Sequence, residues 1–101
     1  MMITKNAGDG VLTFNIAGRI DSLSAPQLEL EFREDSEKIK EMIFDLSDVT
    51  YVSSAGLRVF LLAWKELHRR GIAMQIVNVS PEVWGIFEIT GFTEVLTVRK
   101  A

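Results

Sequence analysis

Two adjacent serines, Ser53 and Ser54, stand where a polar turn is followed by a long segment of helical periodicity. The run before the turn, Met42–Leu46, has the composition of a buried strand, and the periodic segment begins at Ala55. Hydroxyls at such a junction lie at the start of a helix, where unpaired backbone N–H groups and the helix dipole favour negative charge. Ser54 is therefore the residue whose chemistry has to be explained first.

Catalysis by this serine has no support elsewhere in the chain. A serine hydrolase needs a base beside its nucleophile, but the one histidine, His68, lies further along the helix that Ser54 begins, at a distance of about 21 Å. Val52 also stands where the G-x-S-x-G motif has glycine. With no cysteine and no phosphate-binding glycine loop, the sequence lacks metal-ligand and nucleotide motifs. We predict a protein that is not an enzyme and that has no metal or cofactor of its own.

Phosphorylation is the chemistry that remains for the serine. A phosphate at a helix start would be stabilised by the helix dipole, so the fold should tolerate it. In the centre of an interface the same group would lose its water and repel the carboxylates of a partner. Ser54 could therefore switch the binding of a partner. The alternative is that Ser53 and Ser54 only cap the helix, and the residues alone leave both interpretations open.

Composition limits the class of protein. The 101 residues are 48% hydrophobic and 25% charged, which suits one compact domain spanning residues 1–101. The absence of cysteine and of any bilayer-length apolar stretch predicts a cytoplasmic protein without direct membrane insertion. The net charge of −3 arises between Glu29 and Glu41, which include six acids and three bases. Because there is no basic face, nucleic-acid binding is not expected.

Hydrophobic periodicity divides the chain into eight elements. Strands are predicted at Ile3–Asn6, Val11–Ala17, Met42–Leu46, Ala73–Val79 and Val95–Val98, and helices at Ala25–Lys38, at Ala55–Arg70 and from Pro81 to a stop at Gly91. A hairpin turn is expected at residues 7–10, and Gly18 is expected to end the second strand. Ser24 and Ser80 are the expected N-caps of the first and third helices. The order β-β-α-β-α-β-α-β predicts an α/β fold, with a mixed sheet of about five strands and helices packed mainly on one face.

The long helix has an apolar arc that is wider than one sheet face requires. Val59, Leu62 and Ala63 extend this arc, and we expect them to pack against neighbouring helices. The alternative is that part of the arc is a docking surface. Val59 and Trp84 are expected to be exposed, where they could support a weak dimer, so a monomer and a weak dimer both stay open. His68 is expected on the exposed side of the helix.

The segment Val49–Arg58, VTYVSSAGLR, resembles the signature of the STAS domain family, which is named for sulfate transporters and anti-sigma-factor antagonists. Gly18–Asp21 is similar to the family's turn after the second strand, and Phe44–Ser47 to the strand that leads to its phosphorylation site. Gly91–Phe92, followed by Val95–Val98, is similar to its closing segment. The resemblance covers essentially the whole chain, and its motifs are specific in combination.

The resemblance implies a STAS fold and the function of a bacterial anti-sigma-factor antagonist. Such a protein, when unphosphorylated, binds a serine kinase of the histidine-kinase-like ATPase superfamily that doubles as an anti-sigma factor, and thereby regulates transcription by partner switching. The kinase would phosphorylate the serine at the helix start, here Ser54, and a PP2C-type phosphatase would restore it. ATP would belong to the kinase and not to this chain.

The resemblance also implies which residues contact the partner. They are Asp21, Ser53, Ala55, Gly56, Leu57 and Arg58. Ser53 stands where many members have Asp and is the alternative phosphate acceptor, and Arg58 replaces a frequent glycine. Arg58 could pair with a phosphate on Ser54, pair with a carboxylate of the partner, or be simply exposed. Two other roles stay open: a STAS scaffold in a membrane transport complex that docks through the long helix without a serine switch, and a small-ligand sensor.

Overall fold

The computed structural model describes residues 1–34 and 39–101. In these residues the strands are β1 (Met2–Gly8), β2 (Val11–Ile20), β3 (Glu41–Val52), β4 (Ala73–Val79) and β5 (Val98–Lys100). The helices are α1 (Ala25–Glu34), α2 (Ser54–Arg69) and α3 (Pro81–Ile89), and a short 3-10 helix follows at Phe92–Glu94. The element order is the predicted one. The predicted end of the first helix, Lys38, lies outside the described residues.

The strands form one mixed sheet in the order β1-β2-β3-β4-β5. β1 and β2 are an antiparallel hairpin closed by Asp9 and Gly10, whose φ angles are both positive (55° and 80°), as the sequence of the turn predicts. β2, β3, β4 and β5 are parallel, and a helix lies between each of them and the next. Because parallel strands end at the same edge of a sheet, the segments that follow β2 and β3 begin side by side.

The core lies between the sheet and the three helices. Alternate side chains of β2 and β3, among them Phe14 and Phe44, are buried on the helical side. The ring of Phe44 lies 5.1 Å from that of Phe14 and 5.4 Å from that of Phe60 on α2, and Phe60 lies 5.9 Å from Phe87 on α3 (centroid distances). Phe32 of α1 is also fully buried. The helices therefore cover one face of the sheet, as predicted.

β3 is longer than the sequence predicts. Residues 47–52 continue the strand instead of forming a polar turn, and Gly18 lies within β2 instead of ending it. Gly18 has a φ of 99° and lies at a shift in the register, so β2 bulges there and continues to Ile20, which pairs with Val52. One residue, Ser53, therefore separates the end of β3 from the start of α2, and the start of the helix is fixed by the sheet.

The last strand begins later than predicted. Gly91 ends α3 with a φ of 79°, as expected, but the 3-10 helix then interrupts the chain and β5 starts at Val98. Leu96 is buried before the strand begins. The predicted strand Val95–Val98 is therefore wrong except for its last residue, because its alternation reflects the packing of an irregular segment.

The apolar arc of α2 is largely covered. Val59 and Ala63 are only 4% and 0% exposed where α2 lies against α1, in agreement with the packing interpretation. The expectation that Val59 is exposed is therefore wrong, so Val59 offers no surface for the predicted weak dimer. Trp84 is half-buried, with the Lys100 ammonium 4.8 Å from its ring centroid. Across residues 1–34 and 39–101, no helix has the length and apolar character that a membrane span requires.

Candidate functional site

Ser53 is the N-cap of α2. Its backbone is extended (φ −83°, ψ 174°), and its Oγ accepts a hydrogen bond from the Gly56 N–H at 3.3 Å. Its carbonyl oxygen accepts from the Leu57 N–H at 2.9 Å, and its own N–H donates to the Ile20 carbonyl at 2.8 Å. Both the side chain and the backbone of Ser53 are thus engaged in starting the helix and joining it to the end of β2.

Ser54 is the first residue of α2, and it is exposed. Within the described ranges, its hydroxyl makes no hydrogen bond to another residue. The first N–H groups of a helix lack intrahelical partners, so this end of α2 favours negative charge. The two serines therefore differ in role: Ser53 caps the helix, and Ser54 presents its hydroxyl to solvent.

The turn after β2 is held by the carboxylate of Asp21. Its Oδ1 accepts hydrogen bonds from the N–H groups of Leu23 (3.0 Å) and Ser24 (3.1 Å). The hydrogen bond from the Ser24 N–H contributes most to holding the pKa of the Asp21 carboxyl below its usual range. Partial burial raises this pKa, whereas the hydrogen bond from the Leu23 N–H and the charge of Arg19 lower it further. Asp21 therefore shapes this turn with its charged form.

Ser24 occupies the N-cap position of α1 but does not use its side chain there. Its carbonyl accepts from the Leu28 N–H at 3.3 Å, as at a helix start. Its hydroxyl instead turns back, accepts from the Asp21 N–H at 2.9 Å and donates to the Arg19 carbonyl at 2.9 Å. The predicted side-chain cap at Ser24 is therefore wrong, because the turn before α1 takes that hydroxyl.

Two exposed residues at this turn, Leu23 and Tyr51, are not among the site residues predicted from the sequence. Leu23, within the turn, is 90% exposed. Tyr51, near the end of β3, lies opposite Arg19, whose guanidinium carbon is 4.3 Å from the centroid of its ring. The Arg19 Nε also lies 3.9 Å from the Asp21 carboxylate. The side chains of Arg19, Asp21 and Tyr51 therefore lie together beside the turn. The sequence does hold a signal for Leu23, since it is an apolar residue in a polar turn where no core periodicity requires one.

The other residues predicted to bind a partner lie on two sides of α2. Gly56 and Leu57 are buried, so they position the start of the helix and are not surface residues. Ala55 is half-buried and Arg58 is exposed, and both line a groove between α1 and α2 together with Ser22. The structure thus brings the surface of α2 and the turn after β2 to one groove.

His68 lies near the opposite end of α2 from Ser54. It is exposed, as predicted, and stacks on Trp64 with ring centroids 4.9 Å apart and an angle of 11° between the rings. In the part of the chain that the structure describes, no three His, Cys, Asp or Glu side chains are grouped as metal ligands.

Similarity to known proteins extends over nearly the whole chain. The family model described as the STAS domain matches residues 2–101. The anti-sigma-B factor antagonist of Bacillus subtilis is 31% identical over 96 residues, which are 95% of this chain and 86% of that protein.

Solved structures share the fold. The crystal structure of an anti-sigma factor antagonist from Mycobacterium paratuberculosis matches with a TM-score of 0.89 at 22% identity, over 99% of this chain and 86% of that chain. The Bacillus cell fate determinant SpoIIAA in its phosphorylated form matches with a TM-score of 0.75 at 14% identity, over 96% of this chain and 90% of that chain. With the family model matched from residue 2 to residue 101, the chain belongs to the STAS domain family.

Proposed function

We propose that this chain is an anti-sigma-factor antagonist whose binding is controlled by phosphorylation of Ser54. The unphosphorylated chain binds an anti-sigma factor and thereby frees the sigma factor, and the phosphorylated chain releases the anti-sigma factor. One observation carries the proposal: at the start of α2 the Ser54 hydroxyl is exposed, and it has no partner within residues 1–34 and 39–101, whereas the Ser53 hydroxyl is held in the helix cap.

The position of Ser54 explains how a phosphate could act on binding and leave the fold intact. A phosphate on its Oγ would face solvent beside the first N–H groups of α2, and no acidic residue occupies the first turn of that helix. Against a docked partner, the same dianion would have to lose its hydration and meet any facing carboxylate. A partner that changes from almost fully bound to almost fully released needs about a 10⁴-fold difference in affinity. The loss of hydration of the dianion and its repulsion of a facing carboxylate can together supply a difference of that order.

The proposed contact surface joins α2 to the turn after β2. The hydrogen bond from the Ser53 N–H to the Ile20 carbonyl, 2.8 Å long, fixes the two segments relative to each other. Leu23 then offers an apolar contact, and Ser54 and Arg58 present polar groups on the adjacent turn of helix. An interface with a central apolar anchor and polar surroundings is typical of specific protein–protein recognition.

The proposed partner is an anti-sigma factor that is also a serine kinase of the histidine-kinase-like ATPase superfamily. It transfers the γ-phosphoryl group of ATP to Ser54 Oγ, with ADP as the leaving group and release of the hydroxyl proton. A PP2C-type phosphatase hydrolyses the ester in the cytoplasm and restores the serine. The support is the name of the Bacillus subtilis relative, the phosphorylated form in which SpoIIAA has been solved, and the resemblance of residues 49–58 to the family signature.

Phosphorylation in vitro tests the assignment. The chain is incubated with its cognate anti-sigma factor kinase and ATP, and the product is examined by intact mass and peptide mapping. We expect one phosphate, on the peptide that contains Ser54, with no labelling of Ser54→Ala and full labelling of the matched variant Ser53→Ala. A phosphate that stays on Ser54→Ala, or that maps to Ser53, contradicts the proposal.

A scaffold that docks through the apolar arc of α2 is less well supported. Val59 and Ala63, which that interface would use, are buried between α2 and its neighbours. The switch at Ser54 needs only surface that is exposed in the structure, so it is the function that we propose.

A further inference from the structure

Arg58 lies one turn after Ser54 on α2, and its side chain is exposed. In residues 1–34 and 39–101, its guanidinium takes part in no hydrogen bond, ion pair or ring contact. It lines the groove between α1 and α2 at the end that is next to Ala55. Arg58 is therefore a cation placed beside the candidate phosphorylation site without an anion of its own.

Two acidic groups on the elements beside α2, in the described part of the chain, already have partners. Glu29 of α1 lines the same groove and lies 3.3 Å from the Arg33 Nε. Asp21, in the turn after β2, accepts the hydrogen bonds that hold that turn. An anion that arrives at Ser54 would thus find Arg58 available on its own helix, while the neighbouring carboxylates keep their partners.

We propose that Arg58 binds the phosphate on Ser54 within the same helix and is thereby withdrawn from the partner when the chain is phosphorylated. Residues four apart are neighbours on a helix surface, and an acidic group that precedes the basic one is the favourable order. The planar guanidinium can donate two parallel hydrogen bonds to phosphate oxygens. This inference rests on the proposed function, because it takes Ser54 as the phosphate acceptor.

The pairing gives the switch two components. In the unphosphorylated chain, the Arg58 guanidinium is available to a carboxylate of the anti-sigma factor. Phosphorylation adds negative charge at Ser54 and at the same time occupies that guanidinium, so the partner meets a new anion and loses a cation. No movement of the backbone is required, since both side chains lie on one turn of α2.

A chain with phosphoserine incorporated at position 54 during translation tests the pairing without a kinase. The second ionisation of the phosphate is followed by ³¹P NMR as a function of pH in the otherwise native chain and in Arg58→Gln. A paired guanidinium favours the dianion, so we expect Arg58→Gln to raise the phosphate pKa by about 0.5 pH unit. Lys65→Gln is the matched control, because it removes one positive charge from an exposed position further along the same helix, and its pKa should stay near that of the native chain.

The possible results separate the inference from the proposed function. An unchanged phosphate pKa in Arg58→Gln overturns the pairing, and so does an equal rise in Lys65→Gln, which would mean that only net charge matters. If the pKa rises in Arg58→Gln alone but the phosphorylated chain still binds the anti-sigma factor as tightly as the unphosphorylated chain, then the pairing stands, but the withdrawal of Arg58 from the partner and the proposed function both fail.

Discussion

Replacing Gly56 by alanine should destabilise the domain, although alanine is the better helix former. An added Cβ would lie 2.8 Å from Cγ2 of Ile20, 3.0 Å from the Ile20 carbonyl oxygen and 3.0 Å from Cγ1 of Val52. Ile20 and Val52 are buried and paired with each other at the ends of β2 and β3. The backbone oxygen cannot move aside as the end of a flexible side chain could, so the start of α2 has to shift away from the sheet.

The size of the effect follows from two opposing contributions. Alanine in place of glycine in a helix interior is favourable by about 1 kcal/mol. Overpacking a close contact typically costs about 1–3 kcal/mol, and the three short contacts at Gly56 include backbone, which favours the upper part of that range. We therefore expect Gly56→Ala to lower the free energy of unfolding by about 1–2 kcal/mol, which for a domain of this size lowers the melting temperature by about 4–8 °C per kcal/mol.

Urea unfolding and differential scanning calorimetry measure this change, and Gly85→Ala is the matched control. Gly85 lies in α3, is exposed, and has no heavy atom within 4 Å of an added Cβ. The same substitution there should raise the free energy of unfolding by about 0.5–1 kcal/mol. If Gly56→Ala is as stable as the native chain, or is stabilised to the same extent as Gly85→Ala, the close packing of α2 on β2 and β3 is refuted.

Three further predictions concern the cap, the turn and the core. Ser53→Ala should lower the free energy of unfolding by about 1 kcal/mol, because it removes a helix cap. Ser54→Ala should change the free energy of unfolding by less than about 0.5 kcal/mol, and urea unfolding of both variants measures the two values. The Asp21 carboxyl has a lowered pKa, so its stabilising effect is complete above about pH 4 and is lost as the pH falls through its folded pKa. Between about pH 5 and 2, the melting temperature measured by calorimetry should therefore fall less steeply in Asp21→Ala than in the native chain. Equal slopes of melting temperature against pH in the two proteins would contradict this role. Phe60→Ala should cost about 3–5 kcal/mol, because Phe60 is fully buried between two other rings, and a loss below about 1 kcal/mol in urea unfolding would contradict that packing.

The element order and the core could be predicted from local periodicity. The structure differs from the prediction at β3 and β5, where pairing with residues distant along the chain determines the strand. Residues 47–52 combine exposed polar residues with the buried Val49 and Val52, because one side of β3 faces solvent near its end. Only the pairing with the bulged end of β2 makes them a strand. β5 has three residues, too few for alternation to locate it. In both places pairing with a strand that is distant along the chain determines the structure, and local periodicity does not reveal that pairing.

The position of the candidate site at the start of α2 could be predicted from the sequence, but the hydrogen bonds of its residues could not. The serine pair and the apolar periodicity after it place the start of α2 to within one residue. Which serine caps the helix depends on where the chain leaves β3, and the backbone geometry gives that role to Ser53. The use of the Ser24 hydroxyl in the turn, and the exposure of Leu23, depend on how Asp21 folds that turn, which residue types alone do not reveal.

The affinity of the anti-sigma factor for the two forms of the chain tests the central claim most directly. The chain with serine at position 54 and the chain with phosphoserine incorporated there are titrated with the purified anti-sigma factor by isothermal titration calorimetry, and circular dichroism is used to compare their folds. We expect the same fold in both forms and a dissociation constant about 10⁴-fold higher for the phosphorylated form, a difference of about 5.5 kcal/mol. Equal dissociation constants for the two forms would contradict the account.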